Sequence, residues 1–226
     1  MAAQIDGPRL APRGGKPAKQ LVVFLHGYGA DGNDLIALGS EWQTLLPDTA
    51  FVSPHAPEPC AGAPMGRQWF GLTMRDPNER WLGVNKAAPV LQAFLDAELA
   101  RQKLTPDRLA LVGFSQGTMM ALHVGLRRAV APAAIVGYSG IHVMPNGEAA
   151  IEQAAKEVTS RPPVLLIHGD RDEMIPPQAL IASAQSLSAL GVPVEWHLSQ
   201  GIGHGIDGEG LRHGGEFLAR AFKPKI

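Results

Sequence analysis

A serine set between glycines, Gly113-Phe114-Ser115-Gln116-Gly117, is the stretch of this 226-residue chain whose residue types and spacing point most directly to chemistry. A short apolar run beginning at Leu109 leads into it, and a helix-compatible segment over 118–128 follows. A tight strand-to-helix turn strains the serine backbone and leaves no room for a Cβ two residues to either side, so glycine occupies both places. Ser115 Oγ would then stand clear of the sheet edge as a nucleophile, and the Gln116 N–H, at the helix start, would face a developing oxyanion. The bland alternative is a structural turn whose serine only caps the helix with its side chain.

A serine hydroxyl is a poor nucleophile until an imidazole takes its proton, and that imidazole needs a carboxylate to hold its tautomer. Both follow in the chain order serine, acid, histidine. His168-Gly169-Asp170-Arg171-Asp172 comes after the apolar run 163–167, and Gly203-His204-Gly205 comes after 192–198. Asp172 is the preferred acid, with Asp170 and Glu173 as rivals that could instead hold a loop through backbone hydrogen bonds. His204, between two glycines in a loop, is the preferred base. His26 and His168 close strands and are expected to be packed and hydrogen-bonded.

These residues can meet only if their loops leave the same edge of one parallel sheet. The pattern supports that. Runs at 21–25, 49–53, 133–138, 163–167 and 192–198, besides the apolar run before Ser115, read as short strands, and 21–25, continuous in apolar residues, as one buried on both faces. Helical periodicity falls at 35–42, at 79–102 with Pro89 as a kink or a new start, from Pro176 and Pro177 towards Leu190, and at 211–222. Alternating strand and helix predicts an α/β fold, a mainly parallel central sheet with helices on both faces. The first strand delivers His26-Gly27-Tyr28-Gly29-Ala30-Asp31-Gly32-Asn33-Asp34. Its glycines permit close backbone approach to the sheet edge, or they only shape a tight loop.

A proline-rich loop over 54–64 holds the single cysteine, Cys60, read as a small loop residue. From 66 to 78 no regular element is clear. Trp69 and Phe70 there could line an acyl pocket or fold down as a satellite hydrophobic cluster, the two weighing equally. The stretch 139–161 is polar and poorly patterned.

Composition narrows the function classes. A formal charge of −1, from 20 basic and 21 acidic residues, offers no field for phosphate backbones, and no basic stripe interleaves with aromatics, so nucleic acid is not an expected partner. One cysteine excludes an internal disulfide and a multi-cysteine metal site, and suits a reducing cytoplasm. No metal or organic cofactor is expected, since the histidines lack paired ligand spacing and no glycine-rich nucleotide turn followed by Lys occurs. The first apolar run is too short to span a bilayer, and the start of the chain has no signal-peptide core. Residues 1–20, rich in Pro and Gly, are expected to be a flexible segment ahead of a single domain at 21–226.

The chain resembles the phospholipase/carboxylesterase family of small α/β hydrolases, which includes bacterial carboxylesterases and acyl-protein thioesterases. The resemblance rests on Leu25-His26-Gly27-Tyr28-Gly29-Ala30-Asp31-Gly32-Asn33-Asp34, Gly113-Phe114-Ser115-Gln116-Gly117, His168-Gly169-Asp170-Arg171-Asp172 with Ile175-Pro176, and Gly203-His204. It implies an α/β-hydrolase fold with Ser115 as nucleophile, Asp172 as acid, His204 as base and oxyanion donors from Tyr28 and Gln116. It also implies a cytoplasmic serine carboxylesterase acting on small-molecule esters, with a homodimer plausible. Acyl-protein thioesterase or lysophospholipase activity is the nearest alternative, and a non-catalytic binding protein on the same fold the remote one. Two departures stand out. Family members often carry Trp-Phe-Asp or Trp-Tyr-Asp where this chain has Trp69-Phe70-Gly71, and usually a glycine where it has Thr118.

Overall fold

The computed structural model describes residues 4–73, 76, 78–147 and 149–223. Among these the elements run β1 (Arg9–Leu10), β2 (Gln20–Leu25), α1 (Gly32–Trp42), β3 (Thr49–Val52), β4 (Glu58–Cys60), β5 (Ala63–Gln68), α2 (Glu79–Gln102), β6 (Leu109–Phe114), α3 (Gln116–Gly125), β7 (Ala134–Tyr138), α4 (Ala150–Glu157), β8 (Val164–Gly169), α5 (Gln178–Ala189), β9 (Val194–Ser199) and α6 (Gly208–Ala221). Seven strands form one sheet in the order β1-β3-β2-β6-β7-β8-β9, and β4 and β5 form a separate hairpin. Only the β1–β3 pairing in the large sheet is antiparallel; the others are parallel. This is the α/β hydrolase architecture expected from the sequence.

Alternation along each strand builds two cores. Leu21, Val23 and Leu25 of β2 face one layer, which α2, α3 and α5 cover, while Val22 and Phe24 face the other, covered by α1 and α6. The cluster under α1 and α6 centres on aromatics, with Phe24 stacked on Phe51 and tilted against Trp42. Because both faces are buried along the central strands β2, β6, β7 and β8, these need no polar alternation, whereas the edge strand β9 carries exposed Glu195 and Trp196.

In-step pairing aligns the strand ends. Leu25 pairs with Gly113, Phe114 with Tyr138, Tyr138 with Ile167, and Gly169 with Ser199. The loops after β2, β6, β8 and β9 therefore emerge side by side. At the opposite ends of the strands a hollow of about 750 Å³ lies between residues such as Ala133, Pro163 and Phe222, away from these loops.

Several expectations need correction. Residues 1–3 lie outside the described part of the N-terminal segment; within the rest, Arg9–Leu10 adds an antiparallel edge strand and Ile5 is buried, while 13–17 are exposed. The anchor is an ion pair. Glu98 of α2 is only 2 % exposed, and Arg9 answers it with two hydrogen bonds of 2.7 and 3.2 Å. Cys60 sits buried in β4 rather than in a loop. Of the stretch 66–78 thought irregular, residues 66–68 belong to β5, although 74, 75 and 77 lie outside the described residues. Helix α4 falls in the stretch that the sequence left unpatterned, and only Ala154 of its eight residues is buried. Pro89 is accommodated within a continuous α2. No described helix is long and apolar enough to cross a membrane.

Candidate active site

The turn after β6 has the strain its glycines foretold. Ser115 takes φ 54° and ψ −114°, a left-handed conformation that an L side chain rarely adopts and that costs on the order of 1–3 kcal/mol. A Cβ on Gly113 would run into the Thr118 nitrogen and the Gly117 carbonyl, and one on Gly117 would run into the carbonyls of Leu25 and His26. Both glycines are thus required by backbone contact. Ser115 N donates to Tyr138 O at 2.9 Å, fixing the turn to the end of β7. Ser115 occupies the N-cap position of α3, yet its side chain makes no capping bond, which removes the capping alternative.

Close approach of α3 to the end of β2 brings the two candidate oxyanion donors into one neighbourhood. Gly27 packs against Ser115, where a Cβ would lie 3.3 Å from the serine Cβ. Neither the Tyr28 N–H nor the Gln116 N–H has a partner among the described residues, as expected for the first amide of a helix and for a loop amide held open. The Tyr28 loop is braced from outside by the hairpin, since Gly29 N donates to Arg67 O at 3.0 Å and Arg67 N donates to Ala30 O at 2.7 Å. His26 is structural: its Nδ1–H donates to Gly27 O and its Nε2 accepts from Ala56 N. Burial pushes its pKa down.

Trp69 and Phe70 are each 1 % exposed and lie in the main core, so they show a prospective ligand little surface. Their link to Ser115 runs through Gln116, whose side chain the sequence did not mark for this task. Its Oε1 accepts from Trp69 N at 2.9 Å and its Nε2 donates to Phe70 O at 2.8 Å. Trp69 Nε1 donates in turn to His26 O. One buried amide thereby ties the serine turn, the 69–70 segment and the Tyr28 loop together.

On the other side of Ser115 the structure joins His204 to Asp172 and to neither rival. His204 Nδ1 lies 2.7 Å from Asp172 Oδ2, and the carboxylate is fully buried while the imidazole keeps 20 % exposure. Asp172 Oδ1 accepts from the N–H groups of Met174 and Ile175, both at 2.9 Å. Burial alone would raise the carboxyl pKa. The Ile175 N–H, the His204 contact and the Met174 N–H outweigh it and hold the group below the usual carboxylate range. An ionised Asp172 makes His204 Nδ1 the donor and leaves Nε2 with a free lone pair. Asp170 instead accepts from Gly201 N, holding the loop.

A second histidine, missed as a site residue, also reaches this carboxylate. His168 is 1 % exposed; its Nε2 lies 3.2 Å from Asp172 Oδ2 and 2.8 Å from Ile175 O. Only its position closing β8, four residues before Asp172, hinted at this.

Two short ties hold the His204 loop to the ends of β6 and β7. The Phe114 ring packs on the His204 ring with centroids 5.0 Å apart, and Ser139 Oγ donates to Gly205 O at 3.2 Å. The Ser115 hydroxyl makes no hydrogen bond to the imidazole among the described residues, a contact that commonly tightens only with substrate bound. Beside the 174–176 segment that follows Asp172, a cavity of about 340 Å³ opens between Arg80, Ile141, His142, Met144, Met174 and Ser183.

The phospholipase/carboxylesterase family profile matches residues 11–221, nearly the whole chain. The chain belongs to the phospholipase/carboxylesterase family. It is 27 % identical to esterase YpfH of Escherichia coli K12 across 87 % of this chain and 81 % of that one. It is likewise 27 % identical to acyl-protein thioesterase 1 of Gibberella zeae, across 90 % and 91 %. Among solved structures, esterase PE8 superposes with a TM-score of 0.90 and 44 % identity, over 97 % of this chain and 100 % of that one. This is an esterase-type hydrolase family, and the matched span includes every residue of the candidate site.

Proposed function

We propose that the protein is a serine carboxylesterase in which Ser115, His204 and Asp172 act together. The observation that carries the reading is the 2.7 Å His204–Asp172 contact, held by Phe114 and Ser139 beside a serine in a strained turn. His204 Nε2 takes the Ser115 proton as Oγ attacks the ester carbonyl carbon, and the N–H groups of Tyr28 and Gln116 receive the oxyanion. Collapse of the tetrahedral adduct breaks the bond to the alkoxide, which leaves with the proton from His204. Water, deprotonated by the same imidazole, then hydrolyses the acyl-enzyme and restores Ser115. Throughout, Asp172 keeps the imidazole in the productive tautomer and stabilises its charged form.

The cavity beside Met174 and Ile175, which Ile141 and Met144 line together with Arg80, His142 and Ser183, is the candidate place for the acyl group and falls within the size range of small-molecule pockets. It takes over the role that the sequence offered to Trp69 and Phe70, which in this reading support the oxyanion side from behind. Thioesters demand the same machinery, and the likeness to acyl-protein thioesterase 1 makes thioester hydrolysis the second reading. A fluorophosphonate probe followed by peptide mapping tests the core of the proposal. One adduct on Ser115, lost in His204→Ala, is expected; an unlabelled but folded protein refutes it and leaves the binding-protein alternative. Competition between short oxyesters, lysophospholipids and acylated cysteine peptides then ranks the substrate classes.

A further inference from the structure

Away from the candidate active site, the fold brings together His197 of β9 with Glu209 and His213 of α6. Each offers one ligand atom, and these atoms all lie within 4.8 Å of one another. Glu209 and His213 are one helical turn apart, Oε1 to Nε2 3.5 Å. The His197 ring lies against that of His213, centroids 4.5 Å apart at 45°. His197 Nε2 is sealed from solvent and has no hydrogen-bond partner among the described residues. A buried imidazole nitrogen in that condition lacks the partner that such groups ordinarily find.

We propose that His197, Glu209 and His213 bind a divalent transition metal of the zinc class, with water completing the coordination. Two imidazoles and one carboxylate suit zinc, whereas calcium and magnesium call for all-oxygen sites. Arg212 is the competing cation: its NH2 lies 3.5 Å from His213 Nε2 and 4.0 Å from Glu209 Oε1. Its NH1 is already held by both Glu216 oxygens, at 3.0 and 3.1 Å, so it has a place to withdraw to.

The location gives the site a consequence. The loop that carries His204 leaves β9 and enters α6, so a metal on these ligands ties the two stems of that loop. A weaker tie exists already, because Ser199 Oγ donates to Asp207 Oδ1 at 2.7 Å. The sequence showed no ligand spacing here because one histidine lies on a strand and the other on a helix. The metal site does not depend on the hydrolytic reading.

The test is zinc titration of the metal-free, full-length protein at pH 7.5, by calorimetry and native mass spectrometry. Expected are one zinc per chain, a Kd of about 10 μM or tighter, and a Tm rise of about 5–10 °C at a hundredfold excess over Kd. Affinity should fall at least tenfold in His197→Ala, His213→Ala and Glu209→Gln. The last two sites are partly exposed on a helix, so those variants carry the test if the strand variant fails to fold. Unchanged affinity in both helix variants puts the metal elsewhere and overturns the proposal, as does the absence of binding at 100 μM zinc.

Discussion

Replacing Asp172 with asparagine should disable the esterase while leaving its fold intact, because the surroundings dictate how the amide must sit. Oδ1 receives two backbone N–H groups, from Met174 and Ile175, so the amide oxygen has to stay there. The NH2 then occupies the Oδ2 position, 2.7 Å from His204 Nδ1. It donates to that nitrogen, which must become an acceptor, and the imidazole proton moves to Nε2. No lone pair then faces Ser115. The wrong tautomer costs about 10⁴-fold in turnover in a Ser-His-Asp site, or about 5.5 kcal/mol of barrier. The assay is pre-steady-state acylation by a chromogenic ester, with fluorophosphonate labelling in parallel and circular dichroism to verify folding. Asp170→Asn is the control, since Asp170 only holds Gly201 N, and it should stay within about threefold of wild type. A folded Asp172→Asn protein acylating within tenfold of wild type would refute the tautomer argument.

Other perturbations follow from the same contacts. Gln116→Ala keeps the backbone N–H but strands the buried Trp69 N–H and Phe70 carbonyl, so a loss of about 2–4 kcal/mol in urea unfolding is expected, with a drop in kcat/KM. Arg9→Ala leaves Glu98 with Arg101 as its remaining cation and should cost about 3 kcal/mol, which Arg9→Met combined with Glu98→Gln should largely restore. Burial, reinforced by the Arg127 charge, lowers the pKa of His123 to about 3 and of His142 to about 4. The unfolded chain therefore takes up protons below about pH 6.5 that the native state refuses, and stability should fall with a slope of up to about 1.4 kcal/mol per pH unit for each histidine between there and pH 4. His123→Leu should flatten that slope in urea titrations across the range. The Asp172 contribution has its window lower: its depressed pKa leaves it complete above about pH 4, and it is lost only as pH falls further.

Much of the site was readable because each part of it is local and rests on backbone demands. Gly113 and Gly117 mark a turn that tolerates no Cβ, and His204 stands between two glycines in the loop after β9. Asp172 was preferred over Asp170 in the sequence, and what separates two acids leaving the same strand is the loop path, which turns Asp172 to His204 and Asp170 to Gly201 N. The hairpin 58–68 was hidden because its proline-rich strands carry no alternating pattern and bind the Tyr28 loop through main-chain groups. The Gln116 side chain was hidden for a different reason. A buried amide that answers two backbone groups far away in the chain leaves no periodic trace, and the same holds for Arg9 against Glu98.

Thr118 shows how a departure from the family pattern is absorbed. The side chain stands where relatives of this type usually have glycine, on the first turn of α3 against β7. Its hydroxyl lies 2.8 Å from Gly113 O and 2.9 Å from Tyr138 O, so the one proton is shared between the carbonyls that bracket Ser115. Room for its methyl comes from Gly137, where a Cβ would lie 2.5 Å from Thr118 Cγ2 and no nearer than 3.2 Å to any other group. Gly137 is therefore small because Thr118 is large. Gly137→Ala should destabilise wild type by about 1–3 kcal/mol through overpacking, and Thr118→Gly should also destabilise, through the lost hydroxyl bond and the void. In combination the new methyl fills the space the threonine vacated, so the double variant should be more stable than the sum of the singles by about 1–3 kcal/mol. Additive losses in a urea double-mutant cycle would show that the two positions do not share that space. Thr118→Ser separates the remaining terms: it keeps the bond to the carbonyls around Ser115, so its fluorophosphonate labelling rate should stay near wild type while Thr118→Gly labels more slowly.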